Sequence, residues 1–245
     1  MSAILLAILA LPTASAAEPL HASSACGKLK VRDLVADPGP GVVVVGIRHG
    51  TPRDVAKVRR LVKKLAVTGP VTVGLDAVEA RRQEVLERLD LGRLPFERLQ
   101  EALEWNTQFG FDYSTYTSLF ALHELPTVSF LAMGQPVELR PSEAEYPVPR
   151  NYPALLAANS GDAPVPAELE ERFAETVAWH DHSMAQAALE AWRGRGWLVL
   201  VVDRAWVEGG LGVPWQASRI TDVPVQSALA RKSGRYCYEG DRILR

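Results

Sequence analysis

The stretch GVVVVGIRHG, residues 41–50, decides how the chain is read. Four consecutive valines between glycines form a continuous β-branched run, the pattern of a strand buried on both faces. The run delivers Arg48 and His49 to its C-terminal end. TPRD follows at once: Thr51 can cap a helix, Pro52 suits the first helical position, and Asp54 favours the positive end of the helix dipole. Val55, Val58, Val62 and Leu65 then recur at helical spacing until Gly69 and Pro70 stop the helix. A buried strand feeding an amphipathic helix is the first half of a βαβ unit.

Working outward, the rhythm continues. Val71 to Leu75 reads as a second strand, leading to Asp76 and a helix from about Glu79 to Leu89. Pro95 to His123 reads as a helical insertion of two short helices around WNTQFGFDY. Its aromatics Trp105, Phe109, Phe111, Tyr113 and Tyr116 suit a core, or the floor of a site for a flat apolar ligand such as a porphyrin. Pro126 to Leu131 is a third strand, and residues 136–166 form a Pro-rich excursion. A long helix to about Trp192 and the strand WLVLVVD come next, and EGGLG with GVPWQ reads as a tight glycine turn. The prediction is an α/β fold, one domain over residues 26–245, with a mainly parallel central sheet and helices on both faces.

In such sheets ligands bind beyond the C-terminal ends of the strands. His49, then Asp76 with Glu79, then Asp203, Arg204 and Trp206 would converge there. A histidine and two carboxylates suit a metal ion. The plainer alternative is that His49 packs beside the helix start and Asp76 caps the next helix. On the long helix, Leu169, Phe173, Val177, Met184 and Ala188 form an apolar stripe, and Asp181 falls within it. A carboxylate facing the core needs a partner, so Asp181 reads as a structural anchor. His180 lies at the edge of that stripe, and His182 on the opposite, solvent-facing side.

Composition narrows the function classes. The chain has 245 residues, 47% hydrophobic and 23% charged, with a net charge of -2, so nucleic acid is not favoured as a partner. The basic cluster Arg53, Lys57, Arg59, Arg60, Lys63 and Lys64 reads as a solvated helix face ahead of a phosphate-binding one. Residues 1–16 have the layout of a signal peptide, with an apolar core from Ala3 to Leu11 and small residues at Ala14 and Ala16, though no cation precedes the core. That segment is too short for a transmembrane span of about 20 residues, so the expected location is periplasmic, membrane-associated or secreted. Cys26 and Cys237 could then form one disulfide. No G-x-S-x-G elbow, P-loop or G-x-G-x-x-G turn is present.

Taken in order, VVVVGIRHG, VTVGLDAVEARRQ, FGFDYSTYTSLFALHELPTVSF, WHDHSMAQAAL and LVLVVDRAWVEGGLGVP resemble the ChaN-like haem-binding uptake proteins. Their superfamily includes the TIKI metalloproteases and erythromycin esterase. The resemblance covers about Gly41 to Gln216. It implies haem as cofactor, bound by a tyrosine in some members, for which Tyr113 and Tyr116 are candidates by position. The family's Gly-Glu-x-His reads here Gly46-Ile47-Arg48-His49, and Asp76 holds the second carboxylate position. Asp181 is kept before Met184 and Ala185, but Asp203-Arg204-Ala205-Trp206 stands where a Gly-x-Gly-His is usual. Only His49 and Asp76, with Glu79 as a substitute, remain for a divalent metal, so haem is the favoured cofactor and enzymatic activity the less favoured reading. Three functions stay open: a haem-binding protein linked to iron uptake; a residual hydrolase with Arg48 or Arg204 steadying an anion; and a silent partner-binding scaffold in which Ile47 and Trp206 fill the rim. The oligomeric state is not set by the sequence.

Overall fold

The computed structural model describes residues 22–23, 26–36, 39–108, 110–135, 146–153, 156, 166–232, 237–238 and 241–245. The expected signal segment 1–16, most of the Pro-rich excursion and Phe109 lie outside them. In chain order the elements are β1 (Ala22–Ser23), β2 (Gly27–Leu29), α1 (Val31–Val35), β3 (Gly41–Ile47), α2 (Pro52–Leu65), β4 (Val71–Glu79) and α3 (Gln83–Asp90). Then come α4 (Leu99–Ala102), α5 (Trp105–Gln108), α6 (Ser114–Phe120), β5 (Val128–Gly134), α7 (Ala167–Trp192) and β6 (Trp197–Asp203). The chain closes with α8 (Val213–Ile220), β7 (Val225–Leu229), β8 (Cys237–Tyr238) and β9 (Arg242–Leu244).

Seven strands form one parallel sheet in the order β2-β9-β7-β3-β6-β4-β5, and β1 pairs with β8 in a separate antiparallel ribbon. The valine run is the middle strand, hydrogen-bonded to β6 on one side and β7 on the other. Alternation along it feeds two cores. Val43, Val45 and Ile47 pack with Val55, Val58 and Val62 of α2 and with the aromatics of α5 and α6, whereas Val42 and Val44 pack with Met184, Ala185 and Ala188 of α7 and Ala217 of α8. Helices therefore cover both faces, which is why every residue of β3 is buried.

Local chemistry sets the turns. The Thr51 side chain makes no capping bond to α2. Asp54 instead ties the start of α2 back to β3: its buried carboxylate accepts the Arg48 backbone N–H at 3.1 Å and pairs with Arg231 at 2.6 Å, fixing the exit of β3. β4 runs past the expected end at Leu75 to Glu79, with a register shift against β5, so Asp76 lies within the strand and caps no helix. Gly134 permits this, because a Cβ there would stand 2.4 Å from the Asp76 carbonyl oxygen. The expected glycine turn is made by a pair of left-handed glycines, Gly209 (φ 66°) and Gly210 (φ 70°), leading into α8 with a proline in its first turn. The short strands β2, β7 and β9 carry no long apolar run and went unread in the sequence.

β5 is an edge strand whose outward N–H groups are occupied. Phe130 donates to the Asp90 carboxylate at 2.9 Å and Ala132 to the Gln83 amide oxygen at 2.8 Å. Cys26 and Cys237 are disulfide-bonded with Cα atoms 5.6 Å apart, beside the edge where β2 pairs with β9. Among the described residues no helix is long and apolar enough to cross a membrane.

Candidate functional site

Because β3, β4 and β6 are adjacent and parallel, their C-terminal ends bring His49, Asp76 and Asp203 together. The His49 Nε2 lies 3.2 Å from Asp76 Oδ2, and the same oxygen accepts the Asp203 backbone N–H at 2.8 Å. On its other side, His49 Nδ1 lies 2.5 Å from the Tyr116 hydroxyl of α6. In the neutral imidazole the carboxylate favours the Nε2–H tautomer, leaving Nδ1 to accept from Tyr116. Phe111 stacks on the ring at 5.0 Å and 7°. Tyr116 was legible as an aromatic of the insertion; its pairing with a histidine 67 residues earlier was not.

Burial acts most strongly on His49 and lowers its pKa, but the charge and hydrogen bond of Asp76, with Asp203, outweigh it and raise the net value. Burial raises the pKa values of Tyr116 and Asp203, and takes Tyr113 to about 12. Both tyrosine rings are buried in the aromatic cluster around Trp105. The remaining rim candidates diverge. Glu79 turns to Arg81, Arg204 pairs with Glu208, and Arg48 is exposed. His49 and Asp76 already bind each other, and Trp206 has no ligating atom for a third position. Among the described residues no three histidine, cysteine or acidic side chains form a group that could hold a metal ion.

Trp206 sits in a different cluster from Ile47. With Leu169, Phe173, Val177, Arg172 and His180 it lines an apolar pocket of about 580 Å³ beside the first half of α7. Leu169 and Phe173 are 48% and 39% exposed, so the stripe expected to be core is buried only from Val177 onward. His180 stands at this pocket, its ring 5.7 Å from Trp206 and its Nδ1 4.0 Å from Asp181. Asp181 is fully buried and accepts a hydrogen bond from the Tyr152 hydroxyl. Burial raises its pKa against the opposing effect of those two partners. His182, expected in solvent, is half-buried against Tyr146 and Gln216.

The fold is that of an α/β protein built on one parallel sheet, with His49, Asp76 and Asp203 gathered at its strand ends. Residues 39–145 match the family model described as haem-binding uptake, Tiki superfamily, ChaN. A solved structure of ChaN of Campylobacter jejuni, described as showing cofacial heme binding, is similar over 86% of this chain and 91% of that one, at 12% identity and a TM-score of 0.63. That likeness is one of fold. The type III effector HopBA1 (11% identity, 93% and 98% of the two chains, TM-score 0.46) and the MARTX toxin effector domain RRSP from Vibrio vulnificus (13%, 84% and 36%, 0.44) are more distant, and nothing is argued from them. No curated protein matches the chain.

Proposed function

We propose that the chain is an exported haem-binding protein of the ChaN type, linked to iron uptake, whose metallohydrolase-like rim is degenerate. The observation carrying this reading is the apolar pocket of about 580 Å³ beside α7. Its size falls in the range of about 300–1,000 Å³ that suits a small ligand. Haem is a flat apolar body with an iron at its centre and carboxylates at one edge, and the lining offers a group for each. Leu169, Phe173, Val177 and Trp206 supply apolar walls, His180 an imidazole of the type that ligates haem iron, and Arg172 a guanidinium for a propionate. The buried Asp181 carboxyl stands 4.0 Å from His180 Nδ1, on the ring's inner side. The family match supports the ligand class.

The test is a haem titration of the purified chain lacking residues 1–16, followed by visible absorbance. A saturable Soret band that shifts or is lost in His180→Ala, weakens in Arg172→Ala and persists in His49→Ala is the expected result. No saturable band would sink the reading. Export is tested separately by the mass of the chain recovered outside the cytoplasm, expected to lack about 16 residues.

A further inference from the structure

The basic face of α2 is not wholly given over to solvent. The edge built by β2 and β9 carries two adjoining pockets. One, of about 340 Å³, is lined by Lys28, Lys57, Arg231, Lys232 and Arg245 together with Cys26, Gly27 and Ile243. The other, of about 250 Å³, is lined by Lys57, Arg60, Lys64 and Arg245 over the buried side chains of Val31, Leu61 and Leu244. They share Lys57 and Arg245, so they form the two lobes of one cleft.

Among the described residues no acidic side chain lines either lobe. Asp54 reaches Arg231 from beneath, and Lys57 donates to the Ala230 carbonyl at 2.6 Å. Burial lowers the Lys57 pKa despite Asp54, and Arg245, Arg60 and Arg231 lower it further, as expected where cations repel. A chain of net charge -2 thus gathers like charges around one concavity. A bound polyanion would relieve that repulsion.

We infer that this two-lobed cleft binds an organic phosphate, its anionic group in the lobe of Lys28, Arg231 and Lys232 and its less polar body over Val31, Leu61 and Leu244. A soluble phosphate ester and a phospholipid headgroup share this chemistry. Binding of ATP and of inorganic pyrophosphate is measured by calorimetry at low and high salt, beside flotation with phosphatidylcholine vesicles with and without phosphatidylglycerol. Lys28→Glu, Lys232→Glu, Arg60→Glu and Lys64→Glu alter exposed side chains of the cleft, and Arg88→Glu on α3 is the control. Thermal melts confirm that each variant is folded.

Saturable, salt-sensitive binding weakened about tenfold or more by each cleft reversal and unchanged by Arg88→Glu is the expected result. Binding to ATP or pyrophosphate assigns the phosphate to a soluble ester, and binding only to phosphatidylglycerol vesicles assigns it to a headgroup. Absence of binding to all probes overturns the inference, as does binding that is equal in every folded variant. Haem titration of the same variants stays as in wild type, which separates this cleft from the α7 pocket.

Discussion

Replacing Tyr152 by phenylalanine removes one hydroxyl from the interior while leaving the ring that packs with Ala174, Val177 and Ala178. That hydroxyl donates to Oδ2 of the fully buried Asp181, whose Oδ1 has no hydrogen-bond partner. If the carboxylate is ionised, the lost bond costs about 1.5–3 kcal/mol; if protonated, about 0.5–1.5 kcal/mol. Burial raises the folded pKa of Asp181 above the ordinary 3.8. Ionising it therefore works against folding: the penalty is absent at low pH and grows as pH rises from the unfolded value through the folded one. The cost of Tyr152→Phe accordingly increases with pH, because the remaining charge has lost its donor. Urea unfolding at pH 5 and pH 8, repeated in an Asp181→Leu background, measures this. In that background the tyrosine change costs under about 0.5 kcal/mol. An equal cost in both backgrounds would refute the argument that the hydroxyl acts through the carboxylate.

Asp90, pushed up to about 6 chiefly by burial, destabilises the fold when ionised, so wild-type stability falls between about pH 4 and 6 relative to Asp90→Asn, which keeps an acceptor for Phe130; parallel melts across that range show it. Gly134→Ala places a methyl 2.4 Å from the Asp76 carbonyl oxygen and lowers stability by about 2 kcal/mol or more, read by denaturant midpoint. Reducing the Cys26–Cys237 bond removes a constraint across 211 residues and costs about 2–5 kcal/mol, seen as a lower melting temperature in reductant. Asp76→Asn removes the charge that offsets burial at His49, so the imidazole pKa falls; an NMR titration of its ring protons checks the direction.

The central strands were legible because burial on both faces leaves a nearly continuous apolar run, as in Val42–Val45 and Leu198–Val202. The end of β4 was not, since Asp76-Ala77-Val78-Glu79 looks like a helix start and is held extended by the close approach of Gly134. The meeting of strand ends at the rim followed from parallel topology alone. Its actual partners did not: Tyr116 reaches His49 through packing of α6 on α2, and His180 faces a pocket that exists only once Trp206 turns beside α7. Helical periodicity marked Leu169 and Phe173 as apolar without indicating that burial of the stripe begins only after them.

The pairing of β2 with β9 has a consequence in time as well as in space. Gly27–Leu29 meets Arg242–Leu244 along the same edge, so the earliest strand of the main sheet has no partner there until the latest one exists. During synthesis the inner strands can assemble in sequence while that border stays open. The segment Arg242–Leu244 then closes it, and the cleft of Lys28 and Arg245, drawn from segments more than 200 residues apart, forms only after both strands are in place.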